Sequence, residues 1–146
     1  GLYEFGLVPA LDWLANEMKK QFGLNVRLRG DDKPDRLAPD AAAVLFRSVR
    51  ELLVNVANHA RVRSALVEVR HAKGNALEIT VSDAGQGFAA ARKADAGGSG
   101  FGLASMREHM NLLGGSVHID SEPKSGTTVT LRLPLVETAI PAKNEP

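Results

Sequence analysis

Three places in the chain hold residues whose types and spacing could do chemistry. Glu51, Asn55 and His59 are spaced i, i+4 and i+8, which lines them up along one edge of a helix. Glutamate and asparagine oxygens suit Mg²⁺, a cation that takes few protein ligands, keeps several waters and bridges phosphates. Arg47 and Asn58 flank that edge. Asp83 closes an alternating run, 77–82, where a carboxylate beside an apolar wall can accept the exocyclic amine of adenine. The third place is a cluster of glycines: six of the 14 lie between Gly85 and Gly102, and eight between Gly85 and Gly115. Gly85 and Gly87 follow Asp83 directly, whereas Gly98, Gly100 and Gly102 lead into a periodic segment that opens at Leu103. A helix start offers unpaired backbone N–H groups and the positive end of the dipole, and glycines let a polyphosphate approach the main chain. Neither a GxxxxGK[ST] loop nor a GxGxxG turn after a first strand is present, so this is not a Walker or a Rossmann phosphate site. Singly, the three places also fit a solvated helix edge, a turn-capping aspartate and a surface loop. Jointly, they suit one nucleotide pocket.

The elements that must position these residues follow from periodicity. Over 8–22, Leu11, Leu14, Met18 and Phe22 recur at three- and four-residue spacing, with Pro9 at the start and Gly23 past the end, which predicts a helix whose stripe is core. The run 24–29 alternates and predicts a strand, and 31–40, with two prolines and four aspartates, predicts a loop whose Pro39 opens the next helix. From 40 to 59, Leu45, Val49, Leu52, Leu53, Val56 and then Ala60 make an inward stripe. Runs 65–70 and 77–82 alternate and are joined through Lys73, Gly74 and Asn75, a hairpin signal. A third helix is predicted over 103–113, stopped by Gly114 and Gly115, followed by strands over 117–120 and 128–133 around a turn at 122–126. The order α-β-α-β-β-loop-α-β-β has no regular βαβ rhythm. An α+β fold is therefore expected, a two-layer α/β sandwich with a mixed, mostly antiparallel sheet of about five strands and three helices on one face.

Composition narrows the function classes. The chain has 146 residues, 18 Lys+Arg against 17 Asp+Glu, and no cysteine. One domain with a real core fits that length, and a disulfide scaffold, a thiolate zinc site and a cysteine nucleophile are excluded. Any metal must take oxygen or imidazole ligands. A formal charge of +1 gives no field of the kind that draws proteins to nucleic acid or anionic membrane. No apolar run approaches the roughly 20 residues of a membrane span, and the start lacks the basic and apolar regions of a signal peptide. An opening at Gly1 without Met is what a piece of a longer protein would show, and the tail at 137–146 is expected to be disordered.

Four ordered segments carry a resemblance: Glu51, Asn55, Asn58, His59 and Ala60; then Asp83, Gly85, Gly87 and Phe88; then Gly98, Gly100, Gly102 and Leu103; then Gly126, Thr127 and Thr128. Together they resemble the ATP-binding catalytic domain of sensor histidine kinases (HATPase_c, the GHKL or Bergerat fold), in the superfamily that also holds DNA gyrase B, Hsp90 and MutL. Segment 6–13, the Asn58-His59-Ala60 close, the short lid and Met106-Arg107-Glu108 are similar to the NarX/DesK-like subfamily of nitrate and desaturase sensors. The resemblance spans about Gly6 to Leu135 and implies a catalytic domain over 1–136.

Residue by residue, it implies that Asp83 takes the adenine amine, Gly85 and Gly87 shape the adenine end, and Thr127 supports the base. It implies Asn55 as the Mg²⁺ ligand, with Glu51 holding a magnesium-bound water or handling a proton, and His59 near the phosphates. Gly98, Gly100, Gly102 and Leu103 would seat the phosphates, with 88–97 as the lid. Implied cofactors are ATP and Mg²⁺. Implied partners are the protein's own dimerisation and phosphoacceptor domain, as a homodimer, and a response regulator, with no nucleic acid and no direct membrane contact. The domain itself would be cytoplasmic, in a parent whose membrane anchoring stays open. None of His59, His71, His109 and His118 opens a long helical hairpin beside an acidic residue, so the chain is expected to bind Mg-ATP without phosphorylating itself. Arg107 is open to two roles, a phosphate contact or a surface ion pair. Alternatives on the same fold are an anti-sigma-factor type serine kinase and a nucleotide-binding interaction module without kinase activity. A gyrase-like ATPase is disfavoured by the short lid.

Overall fold

The structure is a computed structural model that describes residues 6–30, 37–59, 61–84, 102–122 and 125–135. Helix α1 (Leu7–Phe22) buries Leu7, Leu11, Leu14 and Met18, and ends where Gly23 turns left-handed at φ 69°, its N–H meeting the Lys19 carbonyl at 3.0 Å. Strand β1 (Asn25–Gly30) follows, then helix α2 (Pro39–His59), with proline at its first position where no N–H is needed. Strands β2 (Ser64–Ala72) and β3 (Ala76–Asp83) form the expected hairpin, turned by Gly74 at φ 81° and Asn75 at φ 56°. Helix α3 (Leu103–Leu112) is stopped by Gly114 at φ 80°, and β4 (Ser116–Glu122) and β5 (Gly126–Pro134) are the last described elements.

The sheet order is β1-β2-β3-β5-β4, with β1 parallel to β2 and every other pair antiparallel. Alternation decides the faces. Val67 and Val69, Leu77, Ile79 and Val81, then Val129, Leu131 and Leu133 are all buried under the helices in one cluster. The opposite face carries Arg70, Glu78 and Arg132, cross-strand neighbours on β2, β3 and β5. Glu78 accepts from Arg132 at 2.9 Å and from Arg70 at 3.1 Å, and Arg132 also donates to the Lys73 carbonyl at 2.6 Å. The hydrogen bond from Arg132 holds the Glu78 carboxyl below its ordinary pKa, assisted by Arg70 and opposed by partial burial. The expected α+β two-layer arrangement is thus the observed one, with five strands and three helices among the described residues.

One side chain departs from expectation, and a second gains a main-chain partner. Phe22, assigned to the core stripe, is 37% exposed, because the helix ends there and the chain turns away at Gly23. It lines a cleft of about 410 Å³ with Leu24, Ala57, Arg61, Val62 and Arg63. Arg107, open to a phosphate contact or an ion pair, donates to the Val117 carbonyl at 2.8 Å and ties α3 to β4. The residues expected as lid, 88–97, and as tail, 137–146, lie outside those described, as does Ala60. Among the described residues no helix is long and apolar enough to cross a membrane.

Candidate nucleotide site

The site begins from strand register. Asp83 on β3 stands directly opposite Thr127 on β5, and Thr127 opposite Ser121 on β4. Each has the parity of its strand's buried residues: Asp83 follows Leu77, Ile79 and Val81, Thr127 precedes Val129 and Leu131, and Ser121 follows Val117 and Ile119. The apolar rows therefore continue, at one end of the sheet, into a polar row of three half-buried side chains on the helix side. Ser121 Oγ lies 3.0 Å from Thr127 Oγ1 and donates to the Gly126 carbonyl at 3.2 Å.

Gly126 holds this row together. Its φ is +90°, and a Cβ built on it would run into the Asp83 carbonyl oxygen and come within 2.8 Å of the Ala84 Cα. Only a residue without a side chain lets β5 press so closely on the end of β3.

Helix α2 lies over the sheet and touches both β3 and α3. Its inward stripe is Leu45, Val49, Leu52, Leu53 and Val56, as the periodicity requires, and Ser48 is fully buried within it. Glu51, Asn55 and His59 are half-buried along the helix edge, with Arg47 and Asn58 outside them. The Asn55 amide Nδ2 is sealed from solvent without a hydrogen-bond partner among the described residues. A buried amide left unsatisfied costs about 1–3 kcal/mol.

Helix α3 starts at Gly102, buried and extended at φ −83°, with no side-chain cap and no acid in the first turn. Its N-terminal dipole is thus left uncompensated by the helix's own side chains, an arrangement that favours an anion. Leu103 is buried beneath that turn. Gly85, Gly87, Gly98 and Gly100 lie outside the described residues. Of the expected site residues, the structure brings Asp83 and Thr127 into contact register, sets Glu51, Asn55 and His59 on one helix edge, and puts Gly102 and Leu103 at a helix start.

Ser121 and Gly126 were not among the sequence-derived site residues. Parity could have found Ser121, the single hydroxyl continuing an apolar row on β4. Among the described residues no group of three or more His, Asp or Glu could hold a metal unaided. Glu51 and Asn55, one turn apart, offer two oxygen donors, which fits a cation that completes its shell on phosphate oxygens.

Comparison with known proteins agrees with this geometry. Over 134 residues the chain is 29% identical to "Signal transduction histidine-protein kinase/phosphatase DegS" of Brevibacillus brevis, covering 92% of this chain and 34% of that protein. It is 32% identical over 136 residues to "Oxygen sensor histidine kinase NreB" of Staphylococcus carnosus, covering 93% of this chain and 38% of that one. The chain therefore spans only about a third of the length of these curated relatives. The fold matches that of the blue-light activated histidine kinase EL346 of Erythrobacter litoralis with a TM-score of 0.72 at 23% identity, over 88% of this chain and 42% of that one. Residues 41–137, which run from the start of α2 past the end of β5, match the family described as "Histidine kinase-, DNA gyrase B-, and HSP90-like ATPase". That match covers most of the chain, which therefore belongs to this family.

Proposed function

We propose that residues 1–136 form the Mg-ATP-binding catalytic domain of a two-component sensor histidine kinase. The domain would present the γ-phosphate to a histidine on a separate dimerisation domain of the same protein, itself a homodimer, which then passes the phosphoryl group to a response regulator. The names of the curated relatives support the kinase reading. The observation that carries the nucleotide part is the register pairing of Asp83 with Thr127 at the mouth of the core. A carboxylate held there accepts the adenine amine, and Thr127 supports the base edge.

Farther along, the chain's own groups would bind and orient the triphosphate. Gly102 and Leu103 open the helix whose N-terminal dipole faces the phosphates, with Gly98 and Gly100 letting the backbone approach and Gly85 and Gly87 lining the adenine end. Asn55 would supply an amide oxygen, and Glu51 a carboxylate that holds a water or a proton, toward Mg²⁺. His59 would lie near the phosphates. When bound, Mg²⁺ supplies charge neutralisation at the phosphate oxygens, which is most of what phosphoryl transfer asks of such a domain. No described histidine suits the acceptor role: His109, for one, is committed through Nδ1 to the Ser105 carbonyl at 2.7 Å inside α3. The domain acts in the cytoplasm and needs no nucleic acid or membrane contact.

Calorimetric titration with ATP, with and without Mg²⁺, tests this. Asp83→Asn should abolish measurable binding, because an amide presents a donor where the base also donates. Asn55→Ala should remove the Mg²⁺ dependence and keep weaker metal-free binding. An unmutated chain with no nucleotide affinity, or one that acquires label from γ-labelled ATP on its own histidine, would refute the reading.

A further inference from the structure

Ser121 takes part in two hydrogen bonds at the base-edge row, and the direction of one of them dictates the other. Its Oγ is 3.2 Å from the Gly126 carbonyl and 3.0 Å from Thr127 Oγ1. A carbonyl oxygen only accepts, so the single hydroxyl proton of Ser121 goes to Gly126. With that proton placed on Gly126, the 3.0 Å contact is made by the proton of Thr127. With its proton turned toward β4, Thr127 presents only lone pairs to a group lying against it from the β3 side. Asp83, its register partner there, also only accepts when ionised.

We infer that Ser121 is a positioning residue that fixes the direction of the Thr127 hydroxyl and so makes the base-edge pocket select an exocyclic amine against a carbonyl, adenine against hypoxanthine or guanine. The inference rests on the nucleotide reading of the site. Two acceptors side by side match the two hydrogens of an amine, whereas a carbonyl oxygen in the same place would meet two acceptors and no donor. Without Ser121, the Thr127 hydroxyl is free to rotate and can donate to that carbonyl. Ser121 itself touches no part of the nucleotide in this scheme.

The test compares ATP with inosine 5′-triphosphate, which keeps sugar and phosphates and replaces the C6 amine by a carbonyl. Dissociation constants are measured by calorimetry for the unmutated chain, Ser121→Ala, Ser121→Thr, Thr127→Val and the Ser121→Ala/Thr127→Val pair, with circular dichroism as the fold control. In Ser121→Ala the preference for ATP should fall about tenfold, the size of one hydrogen bond reversed in sense, chiefly because inosine triphosphate binds more tightly. Ser121→Thr should restore the preference, and the double variant should show no further change beyond Thr127→Val. A Ser121→Ala preference within about twofold of the unmutated chain would overturn the inference, as would proportional weakening of both nucleotides, which is what a purely structural serine would give. If the unmutated chain binds ATP and Asp83→Asn does not, while Ser121→Ala leaves the preference intact, the nucleotide reading stands and this inference falls. If the unmutated chain binds neither nucleotide, both fall.

Discussion

Replacing Gly126 by alanine probes the tightest joint of the site. Two separate costs are visible in the structure. The backbone at φ +90° is one that L residues rarely adopt, a strain of about 1–2 kcal/mol. The added Cβ would also strike the Asp83 carbonyl and the Ala84 Cα, both main chain, so no side chain can swing aside. Overpacking against a fixed obstacle adds about 1–3 kcal/mol. The sum is about 2–5 kcal/mol, and for a domain of this size each kcal/mol lowers Tm by about 2–4 °C, so a fall of about 4–20 °C is expected. Gly114→Ala supplies the control: φ there is +80°, but the nearest atom to its Cβ is the Pro134 Cγ at an ordinary 3.7 Å. That variant should lose only the backbone cost, about 1–2 kcal/mol. Thermal unfolding by circular dichroism compares the two, and ATP titration separates them further, since only Gly126→Ala pushes β5 away from Asp83. Equal melting temperatures for the two variants would refute the claim that contact with β3, rather than φ alone, makes glycine necessary at 126.

Two more predictions concern groups away from the pocket. Glu78 titrates below its ordinary value of 4.5 because Arg132 and Arg70 favour its charged form. A depressed folded-state pKa adds stability above the unfolded value and loses it as pH falls through the folded one. Glu78→Gln should thus cost below about 1 kcal/mol near neutral pH, given the solvent screening on that sheet face. The deficit should vanish as pH drops below 4.5 in paired urea titrations; a deficit unchanged at pH 3 would contradict the assignment. Ser48 is fully buried on α2, its Oγ without a partner among the described residues. Ser48→Ala should therefore stabilise the chain by about 1 kcal/mol, since it deletes an unpaired polar atom and raises helix propensity, and a lower Tm would count against it.

Much of the architecture was legible from spacing alone, for local reasons. Gly74 and Asn75 announce a hairpin because few other residues accept positive φ at two successive positions. The stripe of Leu45, Val49, Leu52 and Leu53 can bury itself only as a helix. Phe22 was misassigned because periodicity does not say where a helix runs out of sheet to cover. The hydrogen bond from Arg107 to the Val117 carbonyl is not legible in the sequence, because its acceptor is a main-chain atom on another element, which side-chain patterns do not encode. Site residues follow the same division. Asp83, Asn55 and Glu51 stood out by type and spacing, whereas Ser121 and the close approach at Gly126 exist only through the β4-β5-β3 register. Which two strands become neighbours is a non-local outcome. β3 and β5 are separated in sequence by the glycine-rich segment and all of α3.

The strand order also bears on how the domain breathes. β1 and β4 form the two edges, while β3 and β5 pair with neighbours on both sides. Partial opening begins where fewest bonds must be broken, so β1, hydrogen-bonded along one side by a parallel ladder to β2, can fray while the β3-β5 pair stays closed. Backbone amides around Ile79, Val81, Val129 and Leu131 should then exchange with solvent only at the rate of whole-domain unfolding, well behind those of Val26 and Leu28. Asp83 and Thr127 extend from that slowest pair, which would keep the spacing of the two acceptors constant through the fluctuations that loosen the rest of the domain.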